Sequence, residues 1–331
     1  MQERPRIGLV GAGGIVSLHA PNLVAFGDVT VFAHEGAGEL AAQHGMDIVT
    51  SLDELIAASD VVLIATPTHT HHEIARRVLA AGVPVIAEKP LARTSAQSAE
   101  LVDLARRAGV PLFPAHVVRY FPAYAELRRA VESGRLGELA VLRFSRSSAY
   151  PAGAEWYGAE ELSGGIILDQ MIHDLDQARW LAGEVESVFA QATRRSQGDP
   201  VHAAHVLLRH ASGAISSCAG VWGPHHLEFT TGFSVAGSRG RLEYSSSRET
   251  ELSFDLAPVA TDGGHLPSLS AAVDPYALEV ADFLRSLRTG STPRVTAEDG
   301  HEAVRIAEAA VLSARTGQLV RLSETGVARG R

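Results

Sequence analysis

Lysine is nearly absent from this chain: of its 29 lysine and arginine residues, only Lys89 is lysine. Cysteine is as scarce, and the single Cys218 has no partner for an internal disulfide. No stretch approaches the roughly 18 consecutive apolar residues that a membrane helix needs, so no membrane partner is expected. The arginines occur in ones and twos, and the formal net charge is −9. Such a chain lacks a phosphate-tracking surface, and no nucleic-acid partner is expected. The opening MQERPRIGLVGAGG runs straight into a strand-like segment, without the charged and then apolar stretch of a secretory leader. A cytoplasmic protein is expected.

With 46% hydrophobic and 20% charged residues, the composition is that of a globular protein and not of a disordered one. A length of 331 residues suggests two domains, each able to bury a core. In the first, short apolar runs alternate with helical periodicity. Pro5–Val10, Val29–Ala33, Val61–Ala65, the VPVIAE segment and Val110–Ala115 read as strands, while Ile15–Ala25, Ala37–His44, Thr70–Ala81 and Thr94–Ala108 read as helices. That alternation needs crossover connections, hence a doubly wound parallel sheet of Rossmann type over residues 1–121. From 122 to 331 the texture changes. A helix at Pro122–Ser133 leads into alternating runs at Leu139–Ser147, Val185–Arg194, His202–Arg209, Ala214–Val221 and Phe229–Tyr244; helices at Tyr276–Thr289 and Ala297–Thr316 close the chain. This predicts an α+β domain with a large, mostly antiparallel sheet, open on one face.

The first chemical signal is Gly11-Ala12-Gly13-Gly14-Ile15-Val16, between the first strand and the first helix. Gly11 permits a tight turn, Gly13 lets the backbone approach a pyrophosphate, and the helix N-terminus opened by Gly14 and Ile15 stabilises its charge. The third position of the pattern is Val16, where Gly or Ala gives the closest helix packing. Glu35, just beyond the second strand, is the one nearby acid able to accept the ribose hydroxyls of NAD. No lysine or arginine lies between Arg6 and Arg76 to hold a 2′-phosphate. NAD(H) is therefore the expected cofactor, with NADP(H) left open.

A second signal is Asp169-Gln170-Met171-Ile172-His173. Helical spacing through Leu181 puts Asp169 and His173 at i and i+4 on one face. A carboxylate beside an imidazole fixes its tautomer and raises its basicity, though an ordinary surface Asp–His pair reads the same way. His69, His71 and His72 have no cysteine or acid at metal-ligand spacing, and no metal is expected. Trp156 and Tyr157, like Trp222 and Tyr276, fall at loops or strand ends, where a ring stacks on a sugar or packs at an interface.

Together, GAGGIVSLHAPNL, ATPTHTHHEIARRVLAAGVPVIAEKPLA, GGIILDQMIHDLDQARWL and EDGHEAVRIAEAAVLSARTGQLVRL resemble the Gfo/Idh/MocA family of nicotinamide-dependent oxidoreductases over essentially the whole chain. The resemblance implies that Lys89 of the E-K-P element, Asp169 and His173 converge on the substrate carbon facing the nicotinamide. It places Thr66, Pro67, His71, Glu88 and Lys89 beside the dinucleotide and Arg119, in HVVRYFPAY, at the substrate. It also gives the lone lysine a purpose: arginine keeps its proton in proteins, whereas a lysine ammonium is a compact donor that can release one. The implied reaction is hydride transfer between the cofactor and a CH–OH carbon of a sugar, cyclitol or related polyol, with His173 as general base and Asp169 holding it. Two other functions stay open on the same fold. A non-catalytic dinucleotide-binding regulator would bind cofactor without turning over any polyol. A redox-neutral glycoside-cleaving enzyme would release an aglycone with no net reduction of its NAD. The open-faced sheet predicts a homo-oligomer, dimer or tetramer.

Overall fold

The computed structural model of the protein describes residues 4–151, 153, 155–193, 201–247 and 274–322. Along the chain run β1 (Arg6–Val10), α1 (Val16–Phe26), β2 (Asp28–Phe32), α2 (Ala37–His44), β3 (Asp47–Ile48), α3 (Leu52–Ala58), β4 (Val61–Ile64), α4 (Thr68–Ala80), β5 (Val85–Glu88), α5 (Ser95–Ala108) and β6 (Leu112–Ala115). A 3-10 turn (Val117–Tyr120) and α6 (Pro122–Glu132) follow, then β7 (Leu139–Ala149), the short α7 (Glu155–Gly158), α8 (Glu160–Ser163) and α9 (Gly165–Asp169), and α10 (Ile172–Ala182). The remainder is β8 (Val185–Ala192), β9 (His202–His210), β10 (Ile215–Gly223), β11 (Thr230–Gly237), β12 (Gly240–Ser245), α11 (Pro275–Thr289), α12 (Ala297–Thr316) and β13 (Val320–Arg321). The strand expected to reach Arg194 ends at Ala192, and Arg194 lies outside the described residues.

Two units result, and they are not consecutive blocks of sequence. Among the described residues the first holds 4–125, 161–163 and 274–304, and the second holds 126–160, 164–247 and 305–322. The expected division at 121/122 thus differs for residues 122–125 and 161–163, for α11 and for the first part of α12. The reason is packing. Val280, Phe283 and Leu284 of α11, with Val295, join the core that α1 and the parallel sheet form through Leu9, Leu23, Leu63 and Ile86. Phe283 stacks on Phe113 of β6 with ring centroids 4.9 Å apart. The helix begins sharply because Asp274 caps it, accepting from the N–H groups of Tyr276 and Ala277, with Pro275 at its first position.

The first unit is built on a six-stranded, all-parallel sheet in the order β3-β2-β1-β4-β5-β6. Chain direction across the sheet reverses between β1 and β4, so loops leaving the carboxyl ends of these strands part there and open a crevice. Strands β4, β5 and β6 are buried at every residue, as expected of parallel strands covered on both faces. β3, two exposed residues long, was not expected from the sequence.

The second unit carries seven strands in the order β12-β11-β7-β10-β9-β8-β13. All neighbours are antiparallel except β7 and β10, which run parallel, so the sheet is mixed. The run expected as one strand from Phe229 to Tyr244 is a hairpin, β11 and β12, turning at Gly237–Gly240. Residues alternate between a covered and an open face along β9 and β10. On the covered face Met171, between α9 and α10, lies over Gly220 of β10: a Cβ there would come 2.5 Å from Met171 Cγ, so only glycine lets the helices seat this closely.

Candidate active site

Gly11 leaves β1 and passes against the end of β4. Its φ is +114°, and a Cβ would stand 2.4 Å from the Ala65 carbonyl oxygen, which reserves the position for glycine. Its N–H donates to the Phe32 carbonyl at 2.9 Å, tying the turn to β2. Gly13 and Gly14 face open space, with nothing within 4 Å of where a Cβ would point. Helix α1 starts here, with no acidic residue in its first turn to offset its positive end. Val16 is buried in the helix–sheet core. At the tip of β2, Gly36 lies against Ala12, its would-be Cβ 3.2 Å from the alanine's, and the neighbouring Glu35 is exposed. An open backbone turn at a helix N-terminus, with an exposed carboxylate beside it, suits a dinucleotide.

The ends of β4 and β5 are laced together. Beyond β4, the Thr70 hydroxyl lies 2.7 Å from the Thr66 hydroxyl and 2.7 Å from the Pro67 carbonyl. His71, buried on α4, spans the two strand ends: Nδ1 is 2.8 Å from the Pro90 carbonyl and Nε2 is 2.8 Å from the Thr66 carbonyl. Burial lowers the His71 pKa, and the two carbonyls, which favour a doubly protonated ring, offset this only in part. His72 turns elsewhere, to Glu100 at 3.0 Å, so these two members of the histidine cluster have separate partners.

Glu88, the last residue of β5, points inward. One carboxyl oxygen is 2.6 Å from His19 Nε2 on α1, and the other accepts the Lys89 N–H at 3.0 Å. Burial pushes the Glu88 carboxyl up, but the hydrogen bond and charge of His19, with Lys89, outweigh it and hold the group below the usual carboxylate range. Between Val85 and Ala92 every residue except Lys89 is buried. The ammonium is thus the one side chain this run offers to the surface of its unit.

The second unit repeats that pattern. Asp169 ends α9 and His173 lies in the first turn of α10, so the single helix expected here is interrupted at Gln170 and Met171. From Ile166 to Ala178 only Asp169 and His173 are part-exposed; all others are buried. Asp174, next to His173, accepts two hydrogen bonds from Arg146 of β7 in a fully buried ion pair. Trp156 and Tyr157 of α7 are part-exposed and stacked, ring centroids 3.9 Å apart.

Residues 5–116 match the family described as an oxidoreductase family with an NAD-binding Rossmann fold, and 124–243 match the Gfo/Idh/MocA C-terminal domain. The chain belongs to the Gfo/Idh/MocA oxidoreductases. Among its relatives, myo-inositol 2-dehydrogenase of Thermotoga maritima is 30% identical, covering 96% of this chain and 99% of that protein. Myo-inositol dehydrogenase Hyg17 of Streptomyces leeuwenhoekii is 32% identical, covering 95% and 98%. The crystal structure of GenD2 from gentamicin A biosynthesis, in complex with NAD, superimposes with a TM-score of 0.85 at 25% identity over 97% of each chain.

Within this Gfo/Idh/MocA chain the sequence-derived residues sort by unit. Gly11, Gly13, Gly14, Ile15, Glu35, Thr66, Pro67, His71, Glu88 and Lys89 all belong to the first, at or near the carboxyl end of its sheet; Asp169, His173, Trp156 and Tyr157 belong to the second. Arg119 departs from the substrate-facing expectation. Its side chain is 1% exposed, and Nη1 donates to the Arg294 carbonyl and to Asp299, each at 3.0 Å. A guanidinium so enclosed braces the start of α12 and has no surface left for a ligand. Sequence reasoning passed over His19, Arg146 and Glu279. The signal for His19 was present as the only polar side chain on the buried face of α1, whose other members are Val16, Ala20 and Leu23.

Proposed function

We propose that the protein oxidises a secondary alcohol of a ring polyol, an inositol or a closely related sugar, with NAD as its cofactor. One observation carries the reading: the full-length likeness to two myo-inositol dehydrogenases falls on a chain whose two buried runs each break burial only at Lys89, or at Asp169 and His173. Packing has no use for a part-exposed ammonium or imidazole in such runs; proton traffic does.

When bound, NAD supplies one function, accepting the hydride with its electron pair from the carbinol C–H. Gly11, Gly13, Gly14 and Ile15 would hold its pyrophosphate, Glu35 would accept from the ribose hydroxyls, and Thr66 and Pro67 would line the crevice wall, with the buried His71 bracing them from behind through the Thr66 and Pro90 carbonyls. NADP is the poorer fit, because its extra phosphate would meet a carboxylate with no nearby lysine or arginine to offset it. His173 takes the hydroxyl proton as the C–H bond breaks, Lys89 donates to the same oxygen, and Asp169 holds the imidazole in the accepting tautomer. The carbinol thereby becomes a carbonyl. The stacked Trp156 and Tyr157 offer a flat apolar face to the C–H side of a ring.

The enzyme is further proposed to be a cytoplasmic homo-oligomer, supported by Leu207 and Ile215, 46% and 52% exposed on the open face of the second unit's sheet. Among the described residues no helix is long and apolar enough to cross a membrane. The test is nicotinamide absorbance with purified protein, NAD or NADP, and a panel of inositols, sugars and sugar acids. Reduction of NAD by some of the panel supports the reading. Tight NAD binding without reduction on any compound overturns it; chromogenic glycosides then separate a glycoside-cleaving enzyme from a regulator.

A further inference from the structure

Among the described residues, Nδ1 of His19 and both carboxyl oxygens of Glu279 on α11 are buried polar atoms of the first unit with no hydrogen-bond partner. Both residues are 0% exposed. Tyr276, one helical turn before Glu279, sets its ring edge-on against His19 with centroids 5.1 Å apart, and the charge of Glu88 bears on Glu279. The unpaired atoms therefore belong to one neighbourhood, and it adjoins Glu88, the residue before Lys89. Buried polar atoms in folded proteins are almost always paired, by protein or by ordered water.

The other groups facing this neighbourhood are already committed. From β5, Glu88 is held by His19 and by the Lys89 N–H. From α11, Asp282 accepts from the Tyr120 hydroxyl at 2.7 Å and from the Arg294 N–H at 2.8 Å, and is ion-paired with Arg285. Among the described residues, neither carboxyl oxygen of Glu279 has a hydrogen-bond partner. Burial first, then the charges of Glu88 and Asp282, push its carboxyl well above the usual range, so it persists as an acid with one O–H donor and one carbonyl acceptor. A His19 ring that donates from Nε2 to Glu88 presents Nδ1 as a second donor when it is charged and as an acceptor when it is neutral. A water molecule, with two donors and two acceptors, matches that set.

We propose that His19, Glu88 and Glu279 enclose a site for one ordered water, and that this water ties Glu279 to the His19–Glu88 pair and so fixes the carboxylate that holds the Lys89 backbone. Glu279 is then a positioning residue for Lys89. The part concerning turnover rests on the reading that Lys89 acts at the reacting oxygen; the water site does not.

The experiment compares wild type, E279Q and E279L, each as the NAD-loaded enzyme. Glutamine keeps a donor and an acceptor, and leucine keeps only bulk. Crystal structures of wild type and E279Q are expected to show one water between residue 279 and His19 Nδ1, missing in E279L. In E279L kcat should fall by about tenfold to a hundredfold, the scale of a displaced reacting group, while the Kd for NAD stays as in wild type; E279Q should restore kcat. A wild-type crystal structure that resolves other buried waters but none here overturns the proposal. So does unchanged kcat in E279L, or an E279Q as impaired as E279L. If E279L does not fold, the wild-type crystal structure decides, together with an infrared carboxylic-acid C=O band that E279Q should abolish. Absence of polyol turnover by the wild type would count against the proposed function, leaving the water and the infrared band to be read on their own.

Discussion

Arg146 on β7 clamps the carboxylate of Asp174 on α10 through two hydrogen bonds, of 2.8 and 3.3 Å, with both side chains buried. Because Asp174 follows His173 directly, the pair pins the first turn of the helix that carries the expected base. Removing either partner strands the other's charge in the interior, at a cost of roughly 3–5 kcal/mol. Urea unfolding of R146M or D174L should show a loss of that size. The double variant, which leaves no unpaired charge, should recover most of it, and losses that simply add would refute the pair as their source.

His71 gives a pH signature. Burial depresses its folded pKa below its ordinary 6.5, so the unfolded chain binds the proton more readily. Its contribution to stability is complete above pH 6.5 and is lost as the pH falls from there toward the depressed folded value. Thermal midpoints of wild type and H71Q, measured from pH 8 down to pH 5, should therefore converge at the acid end. Parallel curves would mean that the ring binds its proton equally well folded and unfolded, and curves that diverge toward acid would mean that the two carbonyls hold it charged in the folded protein.

Gly11→Ala combines two faults, a Cβ pressed on the Ala65 carbonyl and a left-handed φ of +114°. Strain of that kind costs roughly 1–3 kcal/mol, and any relief moves the turn away from the sheet. Calorimetric titration should find NAD affinity greatly reduced in a variant that remains folded by circular dichroism. Wild-type affinity would remove this turn from the cofactor site.

Lys89→Arg preserves charge and discards the compact ammonium. If Lys89 donates at the reacting oxygen, kcat should drop by about 10²- to 10⁴-fold, the usual scale for a misplaced proton-handling group, with NAD binding little changed. An arginine variant with wild-type kcat would show that charge alone suffices.

The parallel sheet was legible because buried parallel strands spell continuous apolar runs such as Val61–Ile64, bounded by helical periodicity. β3 was not, since Asp47 and Ile48 are both exposed and carry no pattern. The parallel pairing of β7 with β10 also escaped, because an alternating strand looks the same whichever way its neighbour runs. Lys89, Asp169 and His173 stood out as motif positions, and the break between α9 and α10 did not, as Gln170 and Met171 are ordinary helix formers. Glu279 was invisible for a different reason. In an amphipathic stretch like Tyr276–Arg288, an acid reads as surface, and only the packing of α11 into the first unit reveals that this one is enclosed.

Since Lys89 is the sole lysine and is part-exposed, amine chemistry has one side-chain target in the whole molecule. Reductive methylation with isotopically labelled formaldehyde would install a single ε-dimethylamine, apart from the chain's α-amine, without mutagenesis. Its carbon resonance would give an assignment-free reporter on the environment of that nitrogen as cofactor and candidate polyols are titrated in. The scarcity that marks the residue in the sequence thereby makes it spectroscopically unique.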